Sequence, residues 1–195
     1  LVNYRGKNRA RYPHWHNGPV SSFGSFSSNL LIVGLAPGLK GANRTGRPFT
    51  GDVAGNLLYS TLIKFGFAKG VFSAQSDDGL KLVNCRITNA VRCVPPQNKV
   101  TGQETNACKS FLSSEISEMK KLKVILALGI VAHGAVLSAC GEKKSRFNFS
   151  HHASHHLSDG LILTNSYHCS RYNTNTGRLT KEMFNDVFQD IVSLL

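Results

Sequence analysis

The stretch "GLAPGLKGANRTGRPFTGD", Gly34 to Asp52, follows an apolar run, carries five glycines and two arginines, and ends on a carboxylate. Residues without a side chain let backbone N–H groups come close to a flat or anionic ligand. Phe49 offers a flat apolar surface for a ring to stack on, and is equally readable as a core aromatic. Asp52 has two compatible readings, a carboxylate available for chemistry and the N-cap of a helix entered at Val53. Two further stretches have the same character: "RCVPPQNK" (92–99) and "HCSRYNTNTGR" (168–178), rich in Asn, His and Arg. The glycine stretch lacks both the Walker spacing (GxxxxGK with Ser or Thr) and GxGxxG, which disfavours a nucleotide-binding loop.

The elements that must position these residues are legible. Four short apolar runs, "NLLIVGLA" (29–36), "NCRITNAV" (84–91), "KVILALG" (123–129) and "LILTNSY" (161–167), are strand-length and bounded by polar or Gly-rich sequence. Buried parallel strands read this way. Between and after them, 53–67, 102–121, 130–140 and 180–195 have apolar residues at helical spacing, the last opening at Thr180. Strands alternating with helices predict an α/β fold, a three-layer α/β/α sandwich around a central four-stranded parallel sheet. In such sheets ligands bind beyond the carboxyl ends of the strands. The three polar stretches follow the first, second and fourth strands, so they should converge on one cleft. The domain should span 29–195, preceded by an irregular arm over 1–28 and interrupted by a polar excursion over 141–160.

A chain of 195 residues suits one well-cored domain. Lys and Arg number 23 against 11 Asp and Glu, a formal charge of +12. That excess fits a polyanionic partner, since each cation near a phosphate releases a counterion. No run of five like charges occurs, so the charge is spread over a folded surface. No apolar run approaches the ~20 residues needed to cross a bilayer, and the start is not a secretory signal. A monomer of the cytosol, with no membrane partner, is expected. Five cysteines without a CxxC pair argue against a disulfide framework.

The motifs "GLAPGLKGANRTGRPFTGD", "ITNAVRCVPPQNK" and "NTNTGRLT" resemble those of the uracil-DNA glycosylase superfamily, most of all its family 5 (type b) iron–sulfur members. The likeness runs in order and spacing over about 29–195. It implies the uracil-DNA glycosylase fold and a DNA glycosylase of base-excision repair. Such an enzyme hydrolyses the N-glycosidic bond of uracil, and in type b members also of hypoxanthine, after the base is flipped out of DNA. Xanthine is a further candidate substrate, and DNA containing deaminated bases is the expected partner. A module that kept the fold and lost most of its activity is the alternative.

Breaking that bond leaves positive charge on the sugar and negative charge on the base, so the site needs an anion or water near one and donors near the other. Asp52 fits the first need and His168 the second. Asn89 offers donor and acceptor to a base edge, and the resemblance implicates Asn98 as a further catalytic residue. Gly34, Ala36, Pro37 and Gly38 are expected to touch the base through their backbone, with Phe49 stacked on it. Ser170, Arg171 and Arg178 are candidates for DNA phosphates.

The resemblance also implies a 4Fe-4S cluster, for which Cys93 and Cys108 match two of four ligands. The other two form an N-terminal CxxC that this sequence lacks, and the natural protein is expected to carry the pair upstream of Leu1. Cys85 and Cys140 read as buried small hydrophobes. Cys169 stands where the family has Pro after the catalytic His, a change expected to loosen that loop and weaken activity. "HHASHH" (151–156) has His pairs at zinc spacing, but few partners, and reads better as a polar loop near DNA.

Overall fold

The computed structural model describes residues 1–195. In chain order the elements are α1 (Val2–Arg11), β1 (Phe23–Gly24), β2 (Leu30–Gly34), α2 (Ala42–Thr45), α3 (Val53–Lys64), β3 (Ala68–Lys69) and β4 (Lys81–Leu82). There follow β5 (Cys85–Asn89), α4 (Gly102–Glu118), β6 (Val124–Leu128), α5 (Ile130–Ala139), β7 (Ser154–His156), β8 (Ile162–Ser166), α6 (Arg171–Asn175) and α7 (Lys181–Leu194). The sheet order is β1-β5-β2-β6-β8-β7. Its four inner strands are the four apolar runs, all parallel. The expectation of four strands is corrected to six, because β1 and β7 add antiparallel edges. The 1–28 segment is not wholly irregular either: it forms α1 and β1. The polar excursion supplies β7.

Burial on both faces explains the unbroken apolar strands. Leu30, Ile32, Ile87 and Leu126 pack with Leu58, Tyr59, Phe184 and Phe188, under α3 and α7. Leu31, Val33, Ile125 and Leu163 pack with Leu112, Ala132 and Val136, under α4 and α5. Side chains alternate across the pleat, so neighbours in one strand feed opposite cores. Four helices start at side-chain caps: Asp52 on α3, Thr101 on α4, Ser170 on α6 and Thr180 on α7. Thr101 and Glu104 form a full capping box. No helix is long and apolar enough to cross a membrane.

The glycine-rich loop after β2 is tied down by a buried ion pair. Arg47 holds Asp78 through both terminal nitrogens, at 2.7 and 2.8 Å, with side-chain exposures of 6% and 1%. The same carboxylate accepts the amides of Ser73 and Leu80. The guanidinium lies over the rings of Phe23, Tyr59 and Phe72. Hydrogen bonding from Arg47 is the main cause that pulls the Asp78 carboxyl down to about 2. The folded value lies below the ordinary one, so this stabilisation is complete above about pH 4 and fades as pH falls toward 2. Removing one partner strands the other charge in a buried setting, so Asp78→Asn should cost about 3–5 kcal/mol in urea unfolding near neutral pH. A loss below about 1 kcal/mol would place the pair among weak surface bridges.

Candidate active site

Register brings the site together. Gly34 ends β2 opposite Asn89, which ends β5, while Leu128 ends β6 opposite Ser166 of β8. The loops that leave these ends enclose a cavity of about 490 Å³, whose walls include Pro37, Asp52, Asn98, His168, Ser170 and Arg171. A volume of this order suits a ligand the size of a base with its sugar. At its floor lies a recess of about 30 Å³ bounded by Pro37, Gly38, Phe49, Asp52, Asn89 and His168. The recess takes one edge of a ring, and the cavity holds the remainder.

Phe49 is buried, with φ of 55°, a conformation that costs free energy for any residue bearing a Cβ. Its surroundings compel it. Tyr59 Oη donates to the carbonyl of Pro48 at 2.8 Å, and Thr50 Oγ1 to that of Arg47 at 2.7 Å. A Cβ on Gly55 would overlap the Phe49 carbonyl, and one on Gly34 would overlap both the Phe49 ring and Asn89 Oδ1. Gly34 thus acts by making room. It is not among the residues that bound the recess. Gly38 and Gly41 give the same room to Asp52, whose Oδ2 would lie 3.2 and 2.5 Å from a Cβ there.

Asp52 caps α3, accepting the Gly55 amide at 3.3 Å, and presents its side chain to the cavity. Loss of water around the carboxylate raises its pKa, opposed in part by the amides of Gly55 and Ala54. His168 follows β8, with its ring 5.9 Å from the Phe49 ring and inclined by 26°. Burial brings its pKa down to about 4, so the imidazole is neutral at physiological pH. Neither its ring nitrogens nor the buried Asn89 amide is occupied by a hydrogen bond within the chain. A neutral donor, an amide able to give and accept, and a flat ring therefore meet beside a carboxylate.

The remaining candidates separate. Asn98 follows Gln97 into the left-handed region, with φ of 56° and 54°, and lines the outer cavity but not the recess. Ser170 uses its hydroxyl to cap α6, accepting the Asn173 amide at 3.4 Å, and exposed Arg171 opens that helix at the cavity wall. Arg178 lies away from the cavity, its guanidinium 4.6 Å from the Tyr167 ring centre. Cys169 is fully buried and a neutral thiol, its pKa pushed up to about 12 by burial. It fills core space where the family's Pro was expected. Sequence reasoning missed Leu128, Gly129, Ile130 and Val131, which line the cavity. Their signal was available, since they end and follow the third predicted strand as the recognised loops do the others.

Cys93 and Cys108 are half-buried, and Arg5 Nη1 lies 3.7 Å from the Cys93 sulfur. Cys85 is fully buried in the core, whereas Cys140 is only half-buried. No three His, Cys, Asp or Glu side chains group where a metal could be held, the 151–156 histidines included. An iron–sulfur cluster of four irons takes four thiolates. The residues present do not fit a complete set.

Comparison with known proteins agrees with this geometry. The model of the uracil DNA glycosylase superfamily matches residues 21–192. A type-5 uracil-DNA glycosylase of Thermus thermophilus is 44% identical over 91% of this chain and 80% of its own length. Similar proteins carrying that name occur in Mycobacterium leprae, 42% identical over 95% and 81%, and in Pyrobaculum aerophilum, 37% identical over 97% and 84%. With a match over most of its length and these motifs at the carboxyl edge of its sheet, the chain belongs to the uracil-DNA glycosylase superfamily.

Proposed function

We propose that the chain is a uracil-DNA glycosylase of DNA repair, hydrolysing the bond between uracil and deoxyribose in DNA. The observation that carries this reading is the meeting of Phe49, Asp52, Asn89 and His168 on one recess. The flipped base stacks on Phe49, and the Asn89 amide reads its edge. As the C1′–N1 bond breaks, its electron pair moves onto the base, and the neutral His168 ring donates a hydrogen bond to the developing oxyanion. The Asp52 carboxylate stabilises the positive sugar and orients a water, whose oxygen bonds to C1′. The water's proton passes through Asp52 to solvent, and solvent protonates the released base.

Hypoxanthine and xanthine present a similar carbonyl and N–H edge and are included as proposed substrates. Asn98 is assigned to the mouth of the site, where it can hold the sugar or the water. Ser170, Arg171 and Arg178 are assigned to the DNA backbone, consistent with the net charge of +12. Cys93 and Cys108 are proposed as half of a thiolate set for a 4Fe-4S cluster, separate from this chemistry. The protein is proposed to work as a monomer in the cytosol.

Release of free uracil from a uracil-containing oligonucleotide tests the reading, and no release at enzyme excess would sink it. Asp52→Asn and His168→Ala should each slow single-turnover excision by about 10²–10³-fold. The pH profile has a definite sign. Activity requires the Asp52 anion, so the rate climbs with pH through the raised Asp52 pKa and then levels; His168 protonation intervenes only near pH 4. Asp52→Asn should remove the Asp52 step from that limb.

Gly34→Ala tests the packing. The added methyl must displace Phe49 and Asn89, and should cost about a hundredfold in rate while the protein stays folded by circular dichroism. Wild-type activity in this variant would contradict the role given to Gly34.

A further inference from the structure

The backbone on either side of His168 is held by three side chains. The carbonyl of Tyr167 accepts from Ser166 Oγ at 2.9 Å, and that of His168 from Asn173 Nδ2 at 2.8 Å. The third hold comes from the 141–160 segment. Past the last paired residue of β8, the Tyr167 amide donates to Nδ1 of His151 at 3.2 Å. The His151 ring also lies against the Tyr167 ring, with centres 5.0 Å apart and planes within 17°. Arg178 approaches the same aromatic ring at 4.6 Å. The segment itself is fixed to β8, since the amide of His152 donates to the carbonyl of Asn165 and the amide of Asn165 to that of Ala153, both at 2.9 Å.

An imidazole nitrogen that accepts an N–H carries no proton, so this contact requires neutral His151 with its hydrogen on Nε2. Protonating Nδ1 would set one N–H against another and release the Tyr167 amide. The groups around the ring are the Ser166 hydroxyl, 3.5 Å from Nδ1, His152 beside it, Asp186 and the Met183 backbone on α7, and Arg178 across Tyr167. Asp190 of α7 is engaged by His152 Nε2 at 2.8 Å. Burial first, and His152 second, lower the His151 pKa against the opposing pull of Met183 and Asp186. The neutral form is therefore the resident one at physiological pH.

We propose that His151 is a positioning residue for the glycosylase reaction: its Nδ1 fixes the Tyr167 amide and so the direction in which His168 meets the leaving base. This rests on the glycosylase reading above. It gives the histidine-rich segment a part in catalysis without metal and without touching the substrate.

Three variants separate hydrogen bonding from packing. His151→Ala removes both, His151→Phe keeps the stacked ring without the acceptor, and His151→Asn places Oδ1 where Nδ1 was. Single-turnover excision, DNA affinity and amide exchange at Tyr167 are read together. Ala and Phe should each slow excision by about tenfold or more, with DNA affinity within about twofold, and Asn should recover most of the rate. Exchange at Tyr167 should be slow in wild type and Asn, and faster in Ala and Phe. The wild-type acid limb should contain a second step that Asn lacks. Equal rates for Phe and Asn, or unchanged exchange at Tyr167 in Phe, would overturn the proposal. A wild type that releases no uracil would sink the glycosylase reading instead, and exchange at Tyr167 would still decide whether His151 holds that amide.

Discussion

The site depends on a crowded point where Phe49 occupies a left-handed backbone conformation. Two glycines without side chains, Gly34 and Gly55, leave the only space in which its ring and carbonyl can sit. Strain of this kind persists only where the surroundings over-determine it. Here they do. The Arg47–Asp78 pair anchors the loop two residues before Phe49, Tyr59 holds the Pro48 carbonyl, and Asp52 caps α3 three residues after. One packing solution thus fixes the stacking ring, the carboxylate and, through Gly34, the amide of Asn89.

Desolvation then sets the chemistry of the two titratable groups. It raises the Asp52 pKa and lowers that of His168, so each is driven toward its uncharged form. The consequences differ. A neutral imidazole remains a competent hydrogen-bond donor and brings no charge that would pair with Asp52. A carboxylate of raised affinity for protons is a better partner for a water that must lose one.

The inner sheet was legible because both its faces are buried, which leaves Leu30–Val33 and Val124–Leu128 as continuous apolar runs. The rule that ligands sit beyond the carboxyl ends set Asp52, Asn89 and His168 at one end of the sheet, and the structure brings them to one recess there. The edges were not legible: β1 and β7 are two and three residues long and carry no pattern. Nor was α1, whose Arg, Lys and Asn residues give no apolar stripe. The glycines were visible, but only the fold reveals that Gly34 faces Phe49 and Asn89. Asp78 lies 31 residues from Arg47, and no local signal joins them. His151 was visible only as part of a histidine cluster, because its link to Tyr167 depends on how the segment returns along β8.

The proposed chemistry turns on His168 being a neutral donor in the recess shaped by Phe49. Nuclear magnetic resonance titration of its ring tests this most directly, in the free protein and with uracil-containing DNA bound to Asp52→Asn. The expected ring stays neutral down to about pH 4, and its signals move when that DNA binds. Titration near the ordinary value of 6.5, or a ring indifferent to uracil in the DNA, would contradict it.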